Sequence, residues 1–344
     1  MLSFAPDDPR PMRLWLVLVL LFVVACGRQN PESHAGKERG AETLELRYEG
    51  AANSVNYPEL AEDLGFLAPV KLVHMGSNST GGPQSIQAVA AGHLDIGSSF
   101  NGPIIKTIAS KAPLVAVLAS YGTDERTFSG FYTLPDSPIR SARDLIGKTV
   151  SMNTLGAHAE FMLRDYLVKG GLTPEEIKQV TLLALPPTSA ELALRNHQID
   201  ATIFSTILRD KAAERGALRM LASDHELYGA FNAGSYVMRR DFVEKNPNTV
   251  RRFVEGTGRA IEWARTHSRE EVLARFHSII ARRKRNESSS QVKYWLSTGI
   301  ATPHGEPRDA DYQVWINWLV RDGQLAPGQV RPKDIYKYVG KLQK

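Results

Sequence analysis

Short apolar runs alternate with helix-period segments from residue 44 to about residue 238. This alternation is typical of βαβ units, in which a helix connects neighbouring strands of a mostly parallel sheet. Several of the helical segments follow Gly, Ser, Thr or Asn, the residues that cap helix N-termini. The predicted strands are residues 44–48, 70–74, 94–97, 114–119, 128–134, 149–152, 180–185, 201–204, 219–222 and 235–238. The predicted helices between them are residues 57–64, 83–91, 103–110, 157–169, 189–195 and 207–215.

The chain changes character after residue 239, where strand patterns nearly vanish. Helices are predicted over residues 241–263, 269–281, 291–297 and 311–320. Residues 239–344 hold 21 basic and 12 acidic side chains, net +9, whereas residues 26–238 hold 19 and 23, net −4. We therefore expect a basic helical extension whose surroundings differ from those of the α/β part.

Composition excludes several classes of protein. With 42% hydrophobic residues in 344, the chain is too apolar to be disordered or fibrous. Chains of this length usually divide into two or more domains. The single cysteine excludes both an intramolecular disulfide and a cysteine-rich metal site.

The N-terminus carries a targeting segment. Residues 14–25 are apolar, and as a helix they would span about 18 Å, which is too short for a hydrocarbon core of about 30 Å but typical of a signal peptide. Residues 1–25 are therefore predicted to be a signal peptide, with Met12 as an alternative start. The residues leading into Cys26 resemble the bacterial lipobox, which implies lipidation of Cys26; an ordinary secretory peptide is the alternative. Residues 26–43 are predicted to be the lipidated N-terminus and a flexible linker.

One segment recurs at an offset of 105 residues. Residues 85–96 and 190–201 each contain a short helix, a small or polar break, and then an apolar residue and Asp that open a strand. Two similar α/β lobes would produce this repeat. Because Asp95 and Asp200 occupy the same junction, we interpret them as structural turn residues, not as catalytic carboxylates.

Six motifs together resemble one family. They are AVAAGHLD at residues 88–95, LPDSPIRSARDLIGKTV at 134–150, GAH at 156–158, KGGLTPEE at 169–176, QIDA at 198–201 and WLVRDGQL at 318–325. This set is similar to that of the periplasmic substrate-binding proteins of ABC importers in the nitrate, sulfonate, taurine and thiamine-precursor group. The resemblance extends from about residue 44 to the C-terminus.

The resemblance implies a type II periplasmic-binding-protein fold. In this α/β fold each of two lobes is a mostly parallel sheet with flanking helices, and two crossover strands join the lobes. Lobe 1 would comprise residues 44–134 and 235–344, including the basic helical extension, and lobe 2 would comprise residues 135–234. The ligand would lie in the cleft between them.

The implied function is solute capture for an ABC importer. An extracytoplasmic lipoprotein, periplasmic or at the cell surface and anchored to a membrane by its lipid, would bind a small polar or anionic organic solute. It would deliver that solute to a permease and its ATPase, acting as a monomer. The resemblance does not identify the solute.

Small, polar or Gly-rich loops follow the predicted strands, where an open parallel sheet binds its ligand. Helices that begin there present unpaired N–H groups and about half a positive charge, which stabilise anions. The predicted ligand-binding residues are Glu49, Asn53, Ser54, Ser79, Thr80, Gly81, Gly82, Phe100, Asn101, Thr154, Gly156, Ala157, His158, Ser189, Ser205 and Thr206.

Two departures from the family pattern make a simple alkanesulfonate doubtful. Residues 154–158 lack the two hydroxyls that many sulfonate binders have before the histidine, and Glu49 stands where those proteins often have Gln. A carboxylate at position 49 would repel an anion if it were ionised and close, or would accept a hydrogen bond from a ligand amine or hydroxyl.

Four consecutive cations occupy residues 282–285. We expect them in a solvated loop between two helices, with contact to lipid headgroups as the alternative. Motifs of nucleic-acid recognition with interleaved aromatics are missing, so no nucleic acid is expected as a partner.

Two other functions stay open at the sequence level. A sensor module would bind a solute and signal through a partner. An enzyme on the same scaffold is less favoured, because no nucleophile elbow, metalloprotease motif, P-loop or dinucleotide fingerprint is present and the histidines lie far apart. No cofactor, metal or catalytic residue is predicted.

Overall fold

The computed structural model describes residues 40–77 and 82–341. The predicted signal peptide, Cys26, most of the linker and the candidates Ser79, Thr80 and Gly81 lie outside these residues. The strands are β1 (Glu45–Gly50), β2 (Lys71–Ser77), β3 (Gly97–Phe100), β4 (Leu114–Thr123), β5 (Gly130–Thr133), β6 (Thr149–Met152), β7 (Thr181–Ala184), β8 (Ala201–Phe204), β9 (Arg219–Ser223) and β10 (Phe231–Arg239).

The helices alternate with these strands and then continue alone. They are α1 (Tyr57–Asp63), α2 (Gly82–Ala90), α3 (Asn101–Ala109), α4 (His158–Lys169), α5 (Pro174–Ile177), α6 (Pro187–Arg195), α7 (Thr206–Ala213), α8 (Asp224–Tyr228), α9 (Arg240–Lys245), α10 (Pro247–Thr266), α11 (Arg269–Arg282), α12 (Asp309–Arg321) and α13 (Pro332–Ile335). Short 3₁₀ helices span Arg143–Leu145, Ser289–Tyr294 and Pro303–Gly305.

The strands form two sets with the same order. In lobe 1, β2 pairs with β1, a single bridge between Tyr48 and Ile96 leads towards β3, and β3, β10 and β4 follow. In lobe 2 the order is β7, β6, β8, β5, β9. β10 and β5 run antiparallel to their neighbours, whereas the β1–β2, β6–β7 and β6–β8 pairs are parallel. Two mostly parallel α/β lobes are therefore confirmed.

The sheets to which β5 and β10 belong show where the chain passes from one lobe to the other. β4 lies in the lobe 1 sheet and the next strand, β5, lies in the lobe 2 sheet. β9 lies in the lobe 2 sheet and the next strand, β10, lies in the lobe 1 sheet. On this basis we propose that the chain crosses between lobes at residues 124–129 and 229–230.

Asp95 and Asp200 are equivalent in the two lobes. Oδ2 of Asp95 accepts a hydrogen bond from the backbone N–H of Arg47 at 2.8 Å, and Oδ2 of Asp200 accepts one from that of Thr149 at 2.8 Å. The backbone N–H groups of both aspartates donate in return to the carbonyls of the same two residues, each at 2.9 Å. Each carboxylate thus fixes a helix-to-strand junction to the neighbouring strand, as the repeat predicts.

The C-terminal extension packs on lobe 1, with α10 against α1 and α12 against α3. The predicted helix over residues 241–263 is in fact two helices. The first ends at Lys245 because Pro247 lacks an N–H and restricts Asn246, and the second begins at Pro247 itself. No helix in the described part of the chain is both long and apolar enough to cross a membrane.

A shared aromatic core joins the lobes on one side. Phe161 of α4 stacks on Trp318 of α12 with ring centroids 3.8 Å apart, and meets Phe100 edge to face at 5.2 Å. These three side chains are at most 3% exposed. Burial of aromatic rings from both lobes stabilises this side of the interface.

Candidate functional site

A cleft of about 620 Å³ lies between the two lobes. It opens where strands end and helices begin, which is where open α/β sheets bind ligands. The lining residues are Tyr48, Glu49, Gly50, Ala51, Ala52, Ser54, Asn56, Pro58, Gly82, Ser85, Ile96, Gly97, Ser98, Ser120, Asn153, Pro187, Ser205, Leu208, Tyr236 and Gln291.

The loop between β1 and α1 forms much of the lobe 1 wall. Asn56 caps α1: its side chain accepts from the backbone N–H of Glu59 at 2.9 Å, and the Glu59 carboxylate accepts from the backbone N–H of Asn56 at 3.1 Å. This reciprocal capping box fixes the start of the helix and the end of the loop. Ser54 therefore lines the cleft from a loop with a defined conformation, and Glu49 lines it from the end of β1.

Gly82 brings the first turn of α2 against β3. A Cβ atom at this position would lie 2.5 Å from the backbone Cα of Ser99, so only glycine fits without moving the strand. Beside it, the Ser98 hydroxyl donates to the Ser120 hydroxyl at 2.7 Å, and the Ser85 hydroxyl accepts from the backbone N–H of Ser98 at 3.3 Å. Hydroxyl groups from β3, β4 and α2 thus meet at one edge of the cleft.

Lobe 2 contributes residues that follow its strands. Asn153 comes after β6, Pro187 begins α6, and Ser205 stands between β8 and α7. Ser205 has extended backbone and precedes the first turn of α7, whose N–H groups begin at this wall.

A buried charge cluster supports the lobe 1 wall from behind. Glu59 Oε2 accepts from Arg283 Nη1 at 2.9 Å and Glu59 Oε1 accepts from Arg285 Nη1 at 2.7 Å. Arg283 also pairs with Glu287, and Arg285 donates to the hydroxyl of Tyr48 at 2.7 Å. Burial and the Glu59 carboxylate raise the pKa of that hydroxyl.

This cluster corrects the expectation of a solvated loop at residues 282–285. The Arg283 side chain is only 9% exposed, and that of Arg285 is 17% exposed. Arg282 is mostly exposed and pairs with Asp63. The run therefore folds against lobe 1, because Glu59 supplies the buried counter-charge that two of its cations need.

The structure brings part of the predicted set together. Glu49, Ser54, Gly82 and Ser205 line the cleft. Asn53 does not; it has a positive φ of 61°, and its side chain accepts from the backbone N–H of Ser288 at 2.7 Å. Asn53 thus holds the C-terminal extension against the β1–α1 loop.

Phe100 and Asn101 lie in the core, outside the cleft. Asn101 is fully buried, and its amide donates to the carbonyls of Asn232 and Asp311 at 3.1 Å each. Its side-chain oxygen accepts from the Ser235 hydroxyl at 2.8 Å. We remove both residues from the proposed set, because α3 begins directly after β3 and turns them inward.

The segment around His158 also lies outside the cleft lining. Gly156 has a φ of 70°, and its backbone N–H donates to Glu160 at 2.8 Å. Ala157 is buried as the residue before α4. Thr154 and Ser189 of lobe 2 are not among the described lining residues either, and the side chain of Thr206 lies outside the part of the chain that the structure describes.

His158 packs at the junction of the lobes. Its ring stacks on Phe100 with centroids 4.9 Å apart, and its Nε2 lies 3.3 Å from Oδ2 of Asp224. Burial lowers the pKa of His158, and the Asp224 carboxylate partly offsets this. The residue therefore connects lobe 2 to β3 of lobe 1, and we withdraw it as a ligand contact.

Sixteen of the twenty described lining residues were absent from the predicted set, among them Tyr48, Ser120, Tyr236 and Gln291. The first three lie within strands, where the sequence shows only an ordinary alternating pattern. Gln291 belongs to the 3₁₀ helix Ser289–Tyr294, far along the chain from the other lining residues. No local signal marks such long-range contributions.

The same 3₁₀ helix links the extension to lobe 2. The Tyr294 hydroxyl donates to Glu214 Oε2 at 2.6 Å, and Lys293 Nζ donates to Glu214 Oε1 at 2.9 Å. Glu214 caps the C-terminal end of α7. These bonds join the two lobes beside the cleft.

The cleft wall is nearly uncharged. Glu49 is the only Asp, Glu, Lys, Arg or His among its described lining residues. Within residues 40–77 and 82–341, no group of three or more His, Cys, Asp or Glu side chains is placed to hold a metal ion. Hydroxyl, amide and aromatic groups are thus the main chemistry that this wall offers a ligand.

Two lobes with one strand order and a cleft between them define the type II periplasmic-binding-protein fold. Comparison with solved structures agrees with this fold. One similar structure is the alkanesulfonate-binding protein SsuA from Xanthomonas axonopodis pv. citri, bound to MOPS. It superposes with a TM-score of 0.67 at 20% sequence identity, and the match covers 86% of this chain and 99% of that protein. A family model described as NMT1/THI5 like matches residues 70–271, more than half of the chain. The chain belongs to this family.

Two curated relatives illustrate the similarity. A protein of Brucella abortus (strain 2308) named as a binding protein is 26% identical over 180 residues, 51% of this chain and 52% of the relative. The taurine-binding periplasmic protein of Escherichia coli (strain K12) is 24% identical over 176 residues, 51% of this chain and 52% of the relative. The chain thus spans about half the length of these relatives. Both are named as binding proteins, not enzymes, in agreement with the sequence analysis.

Proposed function

We propose that this protein is the solute-binding component of an ABC importer. It captures a small polar organic solute between its lobes, closes around it by hinge motion, and presents it to a permease and its ATPase. The single observation that carries this proposal is the interlobe cleft of about 620 Å³, which is lined by strand ends and helix starts of both lobes. Its volume suits a small organic molecule.

The proposed contact residues are those that line the cleft in the structure. From lobe 1 they are Glu49, Ser54, Gly82, Ser98 and Ser120, and from lobe 2 they are Asn153 and Ser205. We keep Ser79, Thr80 and Gly81 in the proposed set because they directly precede Gly82 in the sequence.

The N-terminal sequence and the names of the relatives support the proposed location. The apolar run before Cys26 supports export, and Cys26 itself supports attachment to a membrane by a lipid. The relative from Escherichia coli is named as a periplasmic protein. We propose an extracytoplasmic, lipid-anchored monomer.

A thermal-shift screen tests the proposal. Purified protein is mixed with sulfonates, aromatic acids, amino acids, pyrimidines and flavins, and each compound that raises the melting temperature is titrated by calorimetry. A ligand at 100 times its Kd should stabilise the fold by about 2.7 kcal/mol. Saturable binding with one site per chain and no consumption of the compound is expected. Steady turnover of a bound compound, or no binding in any class, would contradict the proposal.

A further inference from the structure

Glu49 is an unpartnered acid in the cleft wall. Its Oε2 atom is buried and has no hydrogen-bond partner within the described part of the chain. A buried polar atom without a partner destabilises the folded state, because it has lost its hydrogen bonds to water. Such atoms are rare in native proteins, and each calls for an explanation such as a ligand.

The cations near this wall do not supply the partner. Arg283 and Arg285 are engaged by Glu59, and Arg283 also pairs with Glu287, so these four side chains balance in formal charge. His74 lies on the adjacent strand β2, but its Nε2 is likewise buried without a hydrogen-bond partner. This nitrogen is therefore not hydrogen-bonded to Glu49.

We propose that the solute carries a nitrogen that donates a hydrogen bond to Glu49, in the form of a protonated amine or an amidine-like ring nitrogen. This inference rests on the proposed function and narrows it to cationic or zwitterionic solutes. An ionised carboxylate only accepts hydrogen bonds, so it matches an N–H donor and disfavours a simple anion at the same place. The hydroxyl and amide groups of Ser54, Asn153 and Ser205 would bind the polar acceptor end of the same solute.

Matched pairs of compounds test the inference. The probes are taurine with ethanesulfonate, γ-aminobutyrate with butyrate, and 4-aminopyrimidine with pyrimidine, each titrated into the wild type, Glu49→Gln and Glu45→Gln. Glu45 is the control, because its side chain lies on the same strand but is exposed. Each amino compound that binds the wild type should bind at least about tenfold more tightly than the compound of the same pair that lacks the amino group, because its hydrogen bond to Glu49 is charge-assisted.

The variants separate the outcomes. Glu49→Gln should clearly reduce the preference within a pair, because the neutral amide oxygen accepts a weaker hydrogen bond than the carboxylate, and Glu45→Gln should retain the full preference. Equal affinity within a pair, or a preference that Glu49→Gln leaves undiminished, would overturn the inference and leave the proposed function intact. Failure of all six probes and of the wider screen would remove the proposed function, and the inference with it.

Discussion

Nε2 of His158 lies 3.3 Å from Oδ2 of Asp224 at the junction of the two lobes. Asp224 also accepts from the Thr123 hydroxyl at 2.9 Å and from the backbone N–H of Ser129 at 3.0 Å. The pair thus lies where the chain leaves β4 for lobe 2. Burial raises the pKa of Asp224, an effect that His158 partly offsets, and burial lowers the pKa of His158.

This pair makes stability depend on pH. Because the pKa of His158 in the folded protein is below its ordinary value of 6.5, the unfolded chain binds more protons than the folded chain as the pH falls towards and below 6.5. The free energy of unfolding should therefore decrease as the pH is lowered from 8 to 6. The raised pKa of Asp224 acts in the opposite sense, but only in the acidic range above its ordinary value of 3.8.

The His158→Gln variant tests this origin of the pH dependence. Chemical denaturation at pH 8 and pH 6 should show a smaller loss of stability for the variant than for the wild type. His74, whose pKa burial also lowers, contributes in the same sense and remains in both proteins. The exposed His93→Gln serves as the control and should match the wild type. If His158→Gln lost as much stability from pH 8 to pH 6 as the wild type does, groups other than His158 would cause the pH dependence.

Removal of the Glu59 carboxylate should destabilise the fold strongly. In Glu59→Gln, Arg283 loses one of its two carboxylate partners and Arg285 loses the carboxylate that it contacts. Breaking a buried pair in this way costs about 3–5 kcal/mol. Urea denaturation of the wild type and the variant measures the cost.

The exposed pair Arg143 and Glu176 provides the comparison. The Arg143 side chain is 55% exposed, and Glu176→Gln should change the free energy of unfolding much less than Glu59→Gln, because solvent screens the pair. If Glu59→Gln cost no more than Glu176→Gln, the cluster behind the cleft wall would not stabilise lobe 1.

The bonds between Glu214 and Tyr294 should slow the release of a bound solute. Tyr294→Phe removes one hydrogen bond between lobe 2 and the extension, which is worth about 1 kcal/mol and corresponds to roughly fivefold faster dissociation. Stopped-flow measurement with a compound from the screen determines this rate. Tyr166→Phe, on α4 of lobe 2 and outside the cleft lining, is the control. Equal rates in Tyr294→Phe and wild type would show that opening does not break this contact.

Asp95→Ala and Asp200→Ala should each lower stability by about 1–2 kcal/mol and leave solute affinity unchanged. Each removes the acceptor of a backbone N–H at an equivalent junction, and neither residue lines the cleft. Thermal unfolding and calorimetry on the two variants provide the comparison. A large loss of affinity with normal stability in either variant would argue for a functional carboxylate.

The topology could be predicted because it depends on patterns repeated along the chain. The positions of Asp95 and Asp200 indicated two similar lobes, and the structure shows their junctions with the same hydrogen bonds. The repeat extends to the backbone: Gly92 and His197, also 105 residues apart, have φ values of 80° and 54°.

The site was only partly predictable because tertiary packing decides which loop residues face the cleft. Asn101 directly follows a strand, as Ser205 does, but its side chain is buried in the core beside Asp311. The fold of residues 283–285 depends on Glu59, which lies more than 220 positions earlier. Such pairings have no signature in local sequence.

The central claim is that one solute is held by both lobes at once. The most direct test is calorimetric titration of a screened solute into Ser54→Ala, from lobe 1, and Asn153→Ala, from lobe 2, with Ser110→Ala as the exposed control outside the cleft. We predict that each cleft variant binds at least about tenfold more weakly, with an unchanged melting temperature, while the control binds like the wild type. Full affinity in either cleft variant would contradict the account.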